Sequence, residues 1–189
     1  MEELIRQLYS CRVCLNTFLK GEVGFPFPEP FLGNPNASFA IIGANPGVGS
    51  FDFNYWLRFF ESDIKNYVNY YQNDAKISLE SYKEWAKGYV EAFVTLVNPN
   101  STVDLASKLD SFNKSAIILN IVKCATKKMP SKKVCELAKS NCLGYLIRQL
   151  EAIQPIIILS HSRFACKTII EILKNSQTVV DDTSHKTLD

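Results

Sequence analysis

The 189-residue chain is 47% hydrophobic and 21% charged. That is enough apolar side chain for one continuous core, which excludes a disordered tail or a low-complexity linker and suits a single domain over the whole length. With 21 Lys and Arg against 19 Asp and Glu the net charge is +2, so any nucleic-acid-binding surface has to come from local clustering of basic residues.

Leu4, Ile5 and Leu8 recur at helical spacing and predict a short helix over 2–9 that stops before Cys11. This start carries acids in an amphipathic pattern rather than a signal-peptide core, and no apolar run reaches the roughly 18 residues of a membrane helix. A cytoplasmic protein with no membrane partner is expected. Gly21 to Pro35 reads as a loop, because its prolines and glycines deny it regular hydrogen bonding while Phe25, Phe27 and Phe31 pin it to the core.

Ser38-Phe-Ala-Ile-Ile-Gly43 is an apolar run closed by a glycine-rich turn, the pattern of a buried parallel strand. Similar runs follow at Ser115–Asn120, Pro155–Leu159 and, more weakly, Thr178–Val180. Helical patterns separate them at 53–72, 79–97, 101–112, 131–153 and 162–174. Strands alternating with helices predict an α/β fold: three layers, α/β/α, around a four-stranded parallel sheet with right-handed crossovers. Ligands of such sheets sit outside the carboxyl ends of the strands, which directs attention to Gly43–Gly47, Asn120, His161 and Asp181–His185.

Gly43-Ala-Asn-Pro-Gly-Val-Gly-Ser50 is not a nucleotide loop. Val48 stands where a P-loop needs its second glycine, no lysine follows, and Asn45 stands where a dinucleotide loop needs its second glycine. Read locally, Asn45-Pro46-Gly47 is a tight turn with Asn45 bonding its own backbone.

Cys11-Arg-Val-Cys14 has the spacing with which two thiolates grip one metal or one cluster edge. Cys124 follows the second predicted strand and Cys142 lies on the next helix, so the pair can complete a four-thiolate site, with Cys135 an alternative fourth ligand. Cys166 sits among Phe164, Ala165, Ile169 and Ile170 and reads as core.

Taken together, these segments resemble the uracil-DNA glycosylase superfamily, especially its iron–sulfur family 4. The resemblance runs from Cys11 to about Leu173 and is carried by Cys11-x2-Cys14, Phe39-Ala-Ile-Ile-Gly-Ala-Asn-Pro-Gly47, Ile118-Leu-Asn-Ile-Val-Lys-Cys124, Cys142-Leu-Gly-Tyr-Leu146 and Arg148–Leu159. It implies a uracil-DNA glycosylase-like domain, a [4Fe-4S] cluster on Cys11, Cys14, Cys124 and Cys142, with zinc as the alternative for four thiolates, and a monomer acting on DNA with a damaged or modified base. The helical stretch 57–113 exceeds the usual family connection and reads as an insertion.

The resemblance also assigns roles. The turn matches the mismatch-specific and single-strand-selective families more than family 4, which has Glu where this chain has Ala44. Asn45 falls where the superfamily holds the Asp or Asn that orients the attacking water. Asn120 matches the asparagine that reads the flipped base, its amide offering an acceptor and two donors. Gly43, Ala44, Pro46 and Gly47 line the base in this reading. Gly47 replaces a tyrosine that excludes C5 substituents in uracil enzymes, so the pocket is expected to admit 5-substituted pyrimidines, hypermodified phage bases among them. Tyr55 or Trp56 is the expected stacking ring.

The family's His-Pro-Ser loop has no clear counterpart. His185 lies in the right order along the chain and is the candidate to stabilise the departing base. Lys123, Lys127 and Lys128 belong to a lysine-rich stretch beside the expected cluster and are candidates for phosphate contacts. The expected activity is monofunctional hydrolysis of an N-glycosidic bond, in DNA repair or in defence against phage DNA; a catalytically inactive DNA-binding relative is the alternative.

Overall fold

The protein is described by a computed structural model over residues 1–16, 27–45, 53–99, 102–126 and 131–175, with residues 15, 16 and 53–56 described by backbone alone. Helix α1 (Glu2–Ser10) and the single turn α2 (Val13–Asn16) precede a short strand β1 (Leu32–Gly33) and the central strand β2 (Phe39–Gly43). Helices α3 (Phe53–Ser62), α4 (Ile64–Asn69), α5 (Leu79–Ser81), α6 (Lys87–Val97) and α7 (Leu105–Ser115) lead to β3 (Ala116–Asn120), followed by α8 (Lys132–Ile153), β4 (Ile157–Ser160) and α9 (Arg163–Asn175).

The expected α/β class holds, with one correction to the sheet. Its strand order is β1-β3-β2-β4, and β2 pairs parallel with both β3 and β4, but β1 runs antiparallel to β3. The sheet is therefore mixed rather than all parallel. Its fourth strand falls in the stretch expected to be loop: Gly33 adopts φ 101°, and a Cβ there would collide with the Ala116 carbonyl oxygen, so glycine lets the chain press against β3. The strand expected at Thr178–Val180 lies outside the described residues, as does Phe25, while Phe27 and Phe31 are buried as expected.

The alternation of side chains along the strands builds two cores. Ala40, Ile42, Ile117 and Leu119 face Ile5, Phe60, Tyr67, Leu146, Ala165 and Ile169 on one side. Phe39, Ile41, Ala116 and Ile118 face Val90, Phe93, Leu109 and Phe112 on the other. Local chemistry sets the helix boundaries. Asp63 caps α4 by accepting from the Lys65 N–H, which splits the helical pattern expected over 53–72, and Asp104 and Ser131 cap α7 and α8 in the same manner. The pattern at 79–97 opens with α5 and a π-helical turn, Tyr82–Ala86, before α6. At its far end α8 stops at Gln154 in the left-handed conformation, φ 50°, directly before Pro155.

Two readings of single residues are corrected. Cys166 is exposed rather than core, because α9 buries the stripe Ala165, Thr168 and Ile169 and turns Cys166 outward. Lys123 is 1% exposed and points into the fold, so it presents no ammonium group to a phosphate. Among the described residues no helix is long and apolar enough to cross a membrane.

Candidate functional site

The carboxyl ends of β2, β3 and β4 lie side by side. Gly43 is in register with Asn120 on the parallel neighbour, and the ladder runs on beyond the strands: Ile121 N–H donates to the Gly43 carbonyl at 3.0 Å, Val122 N–H to Ala44 at 2.9 Å, and His161 N–H to Ile42 at 2.9 Å. Asn45, Asn120 and His161 are thus set at one end of a continuous hydrogen-bonded frame.

Asn45 Nδ2 donates to Thr126 Oγ1 at 2.7 Å. Asn120 is 7% exposed and its amide is held from two sides. Nδ2 donates to Glu29 Oε1 at 3.1 Å, while Oδ1 rests over the Cα of Gly43, where any Cβ would strike it. A glycine at the strand end is therefore required by the amide itself.

Glu29 gave no signal in the sequence and is the main residue missed. Its segment is clamped at three backbone groups. Glu29 N–H donates to the Lys123 carbonyl at 2.7 Å, the Tyr67 hydroxyl donates to the Pro28 carbonyl, and Pro30 O accepts from Lys123 Nζ at 3.3 Å and Gln149 Nε2 at 2.8 Å. Burial pushes the Glu29 carboxyl up to about 7, against the opposing pull of Lys123 and the Asn120 hydrogen bond. Burial likewise pushes the Lys123 ammonium down to about 7.

A second unforeseen pair joins helix α6 to the strand ends. The Tyr89 hydroxyl on α6 lies 3.0 Å from His161 Nδ1, with the ring centroids 4.3 Å apart. His161 was legible as a polar residue after a strand, but its partner lies 72 positions away.

Three of the expected thiols gather. Cys14, Cys124 and Cys142 form one buried cluster with Val122 and Ala138. The Cys14 thiol touches both others, and contact with Cys124 pushes it up to about 11. Contact with Cys14, reinforced by burial, drives Cys142 far above the ordinary thiol range. Cys11 stands at the edge beside the Tyr145 hydroxyl. Cys135 is buried but outside this cluster. Among the described residues no group of three or more His, Cys, Asp and Glu side chains is arranged to hold a metal ion. The soft sulfur donors of Cys14, Cys124 and Cys142, with Cys11 at their edge, suit a thiolate-ligated metal or cluster.

Of the remaining expected residues, Ala44 follows β2. Tyr55 and Trp56 fall on the first turn of α3, where the backbone alone is described. Pro46, Gly47, Lys127, Lys128 and His185 lie outside the described residues.

The chain is similar to the type-4 uracil-DNA glycosylase of Archaeoglobus fulgidus, with 24% identity over 180 residues that span 95% of this chain and 68% of the relative. No protein-family model matches the chain.

Proposed function

We propose that the protein is a monofunctional DNA glycosylase that flips a damaged or modified pyrimidine, uracil or a 5-substituted base, and hydrolyses its N-glycosidic bond. The observation that carries this reading is the pairing of two asparagines, Asn45 and Asn120, at the carboxyl ends of adjacent parallel strands, with a glycine at 43 that the Asn120 amide requires. The similarity to a uracil-DNA glycosylase over 95% of the chain supports it.

In this reading Asn120 holds the edge of the flipped base by its amide. Asn45 places the water. It is not a base, but bond cleavage through an oxocarbenium-like transition state needs mainly a positioned water and electrostatic stabilisation. Thr126 steadies Asn45 through Nδ2. Gly47 leaves space beside C5 of the base, Tyr55 or Trp56 supplies the stacking ring, His185 stabilises the departing base, and Lys127 and Lys128 meet phosphates. Hypermodified phage bases belong to the substrate range that Gly47 would admit.

Cys11, Cys14, Cys124 and Cys142 would hold a [4Fe-4S] cluster, or zinc. Bound there, it would tie α2, the segment after β3 and α8 together as a structural cross-link, with no part in bond cleavage.

The test is base release from DNAs carrying uracil, mismatched uracil, hydroxymethylated pyrimidines and glycosylated phage bases, with Asn45→Ala in parallel. Release from one of them, lost in the variant, is the expected result. Binding without release from any would assign the fold to a DNA-binding relative instead.

A further inference from the structure

We infer that Glu29 is the residue that sets which way the Asn120 amide faces, and so determines the order of donor and acceptor that the pocket demands of a base. The inference rests on the reading of Asn120 as the base-holding residue.

Asn120 has no freedom in its backbone. It is the last residue of β3, and the two residues after it remain bonded to Gly43 and Ala44. What is left free is rotation of the terminal amide, which exchanges an acceptor for a donor in nearly the same space. A carboxylate resolves that choice because it only accepts. Glu29 Oε1 takes the Nδ2 hydrogen at 3.1 Å, which leaves Oδ1 on the side of Gly43. A base meeting the amide edge then has to bring a donor to Oδ1 and an acceptor to the second Nδ2 hydrogen.

Uracil offers N3–H beside O4, and cytosine offers the 4-amino group beside N3. The two sequences are the reverse of each other, so in one pose one amide orientation fits one base class and the rotated amide fits the other. A site built to hydrogen-bond a polar edge rejects the mismatched edge strongly, because buried groups are then left unpaired.

Glu29 is placed for this by its surroundings. The clamp of Pro28, Glu29 and Pro30 backbone groups by Tyr67, Lys123 and Gln149 fixes the backbone from which the carboxylate reaches Asn120. The titratable groups that sense its charge are Lys123 after β3, Tyr67, Tyr70 and Tyr71 of α4 and its following turn, and Tyr89 of α6. All of these tyrosines are held neutral, chiefly by burial, which leaves Lys123, its own ammonium pushed down to about 7 by burial, as the one cation among these described groups. A protonated Glu29 donates instead of accepting and permits the rotated amide, so the selection is expected to weaken as the carboxyl takes up a proton.

The experiment compares wild type, Glu29→Gln and Glu29→Asp for binding to DNAs carrying 2′-fluoro-2′-deoxyuridine or 2′-fluoro-2′-deoxycytidine, which resist cleavage, and for release of the corresponding cleavable bases. Glutamine has the same shape but both donates and accepts. It is expected to cut the ratio of affinities between the two bases at least tenfold while retaining binding to one of them. Aspartate, one methylene short of Asn120, should do the same. An unchanged ratio in both variants overturns the inference. Side-chain amide resonances of Asn120, followed from pH 5 to 9, give a readout independent of activity: they should titrate in wild type and not in Glu29→Gln. If wild type neither binds nor cleaves these DNAs, the functional reading falls, and the resonances still decide whether Glu29 orients Asn120. Titration abolished by the variant keeps the coupling; titration-free resonances in wild type overturn it.

Discussion

Gly43→Ala tests the geometry of the strand ends directly. The added Cβ meets Asn120 Oδ1 in hard collision, while the next backbone atom, the Leu119 carbonyl oxygen, stays at an ordinary 3.9 Å. The atom that has to yield is therefore the tip of a side chain, and relief comes from swinging the amide away from Glu29. That movement forfeits a hydrogen bond to a carboxylate, worth about 1.5–3 kcal/mol. For a chain of this size it lowers Tm by about 3–12 °C. The assay is thermal unfolding of Gly43→Ala, Asn120→Ala and the double variant. Once Oδ1 is gone the Cβ has free space, so adding Gly43→Ala to Asn120→Ala should cost less than about 0.5 kcal/mol. Base release in the single variant should fall by about 10–100-fold, since 1.36 kcal/mol corresponds to a factor of ten. Equal costs in both backgrounds would refute the reasoning, because the glycine would then be serving the strand rather than the amide.

Asn45→Ala is expected to slow single-turnover release by about 10²–10³-fold, the loss usual for one preorganised polar group, with DNA affinity unchanged, and Thr126→Val by a further-removed factor of about 3–10; wild-type rates in either would remove the assigned role. Cys142→Ser should abolish bound metal by elemental analysis together with any visible iron–sulfur absorption, and zinc in place of iron in the wild type would select the alternative cofactor. Lys127→Ala with Lys128→Ala should flatten the dependence of log K on log salt by about 0.9 per lost phosphate contact, whereas Lys123→Met should leave that slope as it is. Because burial pushes the Glu29 carboxyl up to about 7 from its ordinary 4.5, the folded protein holds a proton in that interval that the unfolded chain has released. Stability therefore falls as pH rises from 4.5 to 7. Glu29→Gln should remove this component, and a Tm difference between variant and wild type that is constant across the window would contradict it.

Strands β2 and β3 were legible because each is an apolar run buried on both faces and bounded by turn residues, and β4 because its run is equally apolar although it is only partly buried, a pattern that survives without tertiary information. Strand β1 was not, since two residues among prolines carry no periodicity and their pairing depends on Gly33 approaching Ala116. Cys166 misled through its apolar neighbours. Helical phase separates them: Ala165, Thr168 and Ile169 form the buried stripe, whereas Cys166 and Ile170, four apart, share the exposed face. Counting phase rather than composition would have placed it correctly. Lys123 misled in the opposite direction, grouped with a lysine run when its immediate neighbours, Val122 and Cys124, are both buried.

Asn45 and Asn120 were readable as polar residues at predicted strand ends, but the contact that orients Asn120 joins positions 91 apart, and nothing local to Phe-Pro-Glu-Pro-Phe announces it. The physical reason lies in how the site divides its constraints. Strand pairing is specified by long apolar runs, and a slip of one residue would turn every side chain of β3 to the wrong layer. The backbone of Asn120 is thereby fixed by residues visible in the sequence. The rotation of its amide costs almost nothing in packing, so it is left to one acceptor delivered by an irregular loop. A single carboxylate in a proline-rich segment is easily passed over in a sequence, yet with the backbone already immobile it is the group that settles the polarity of the site.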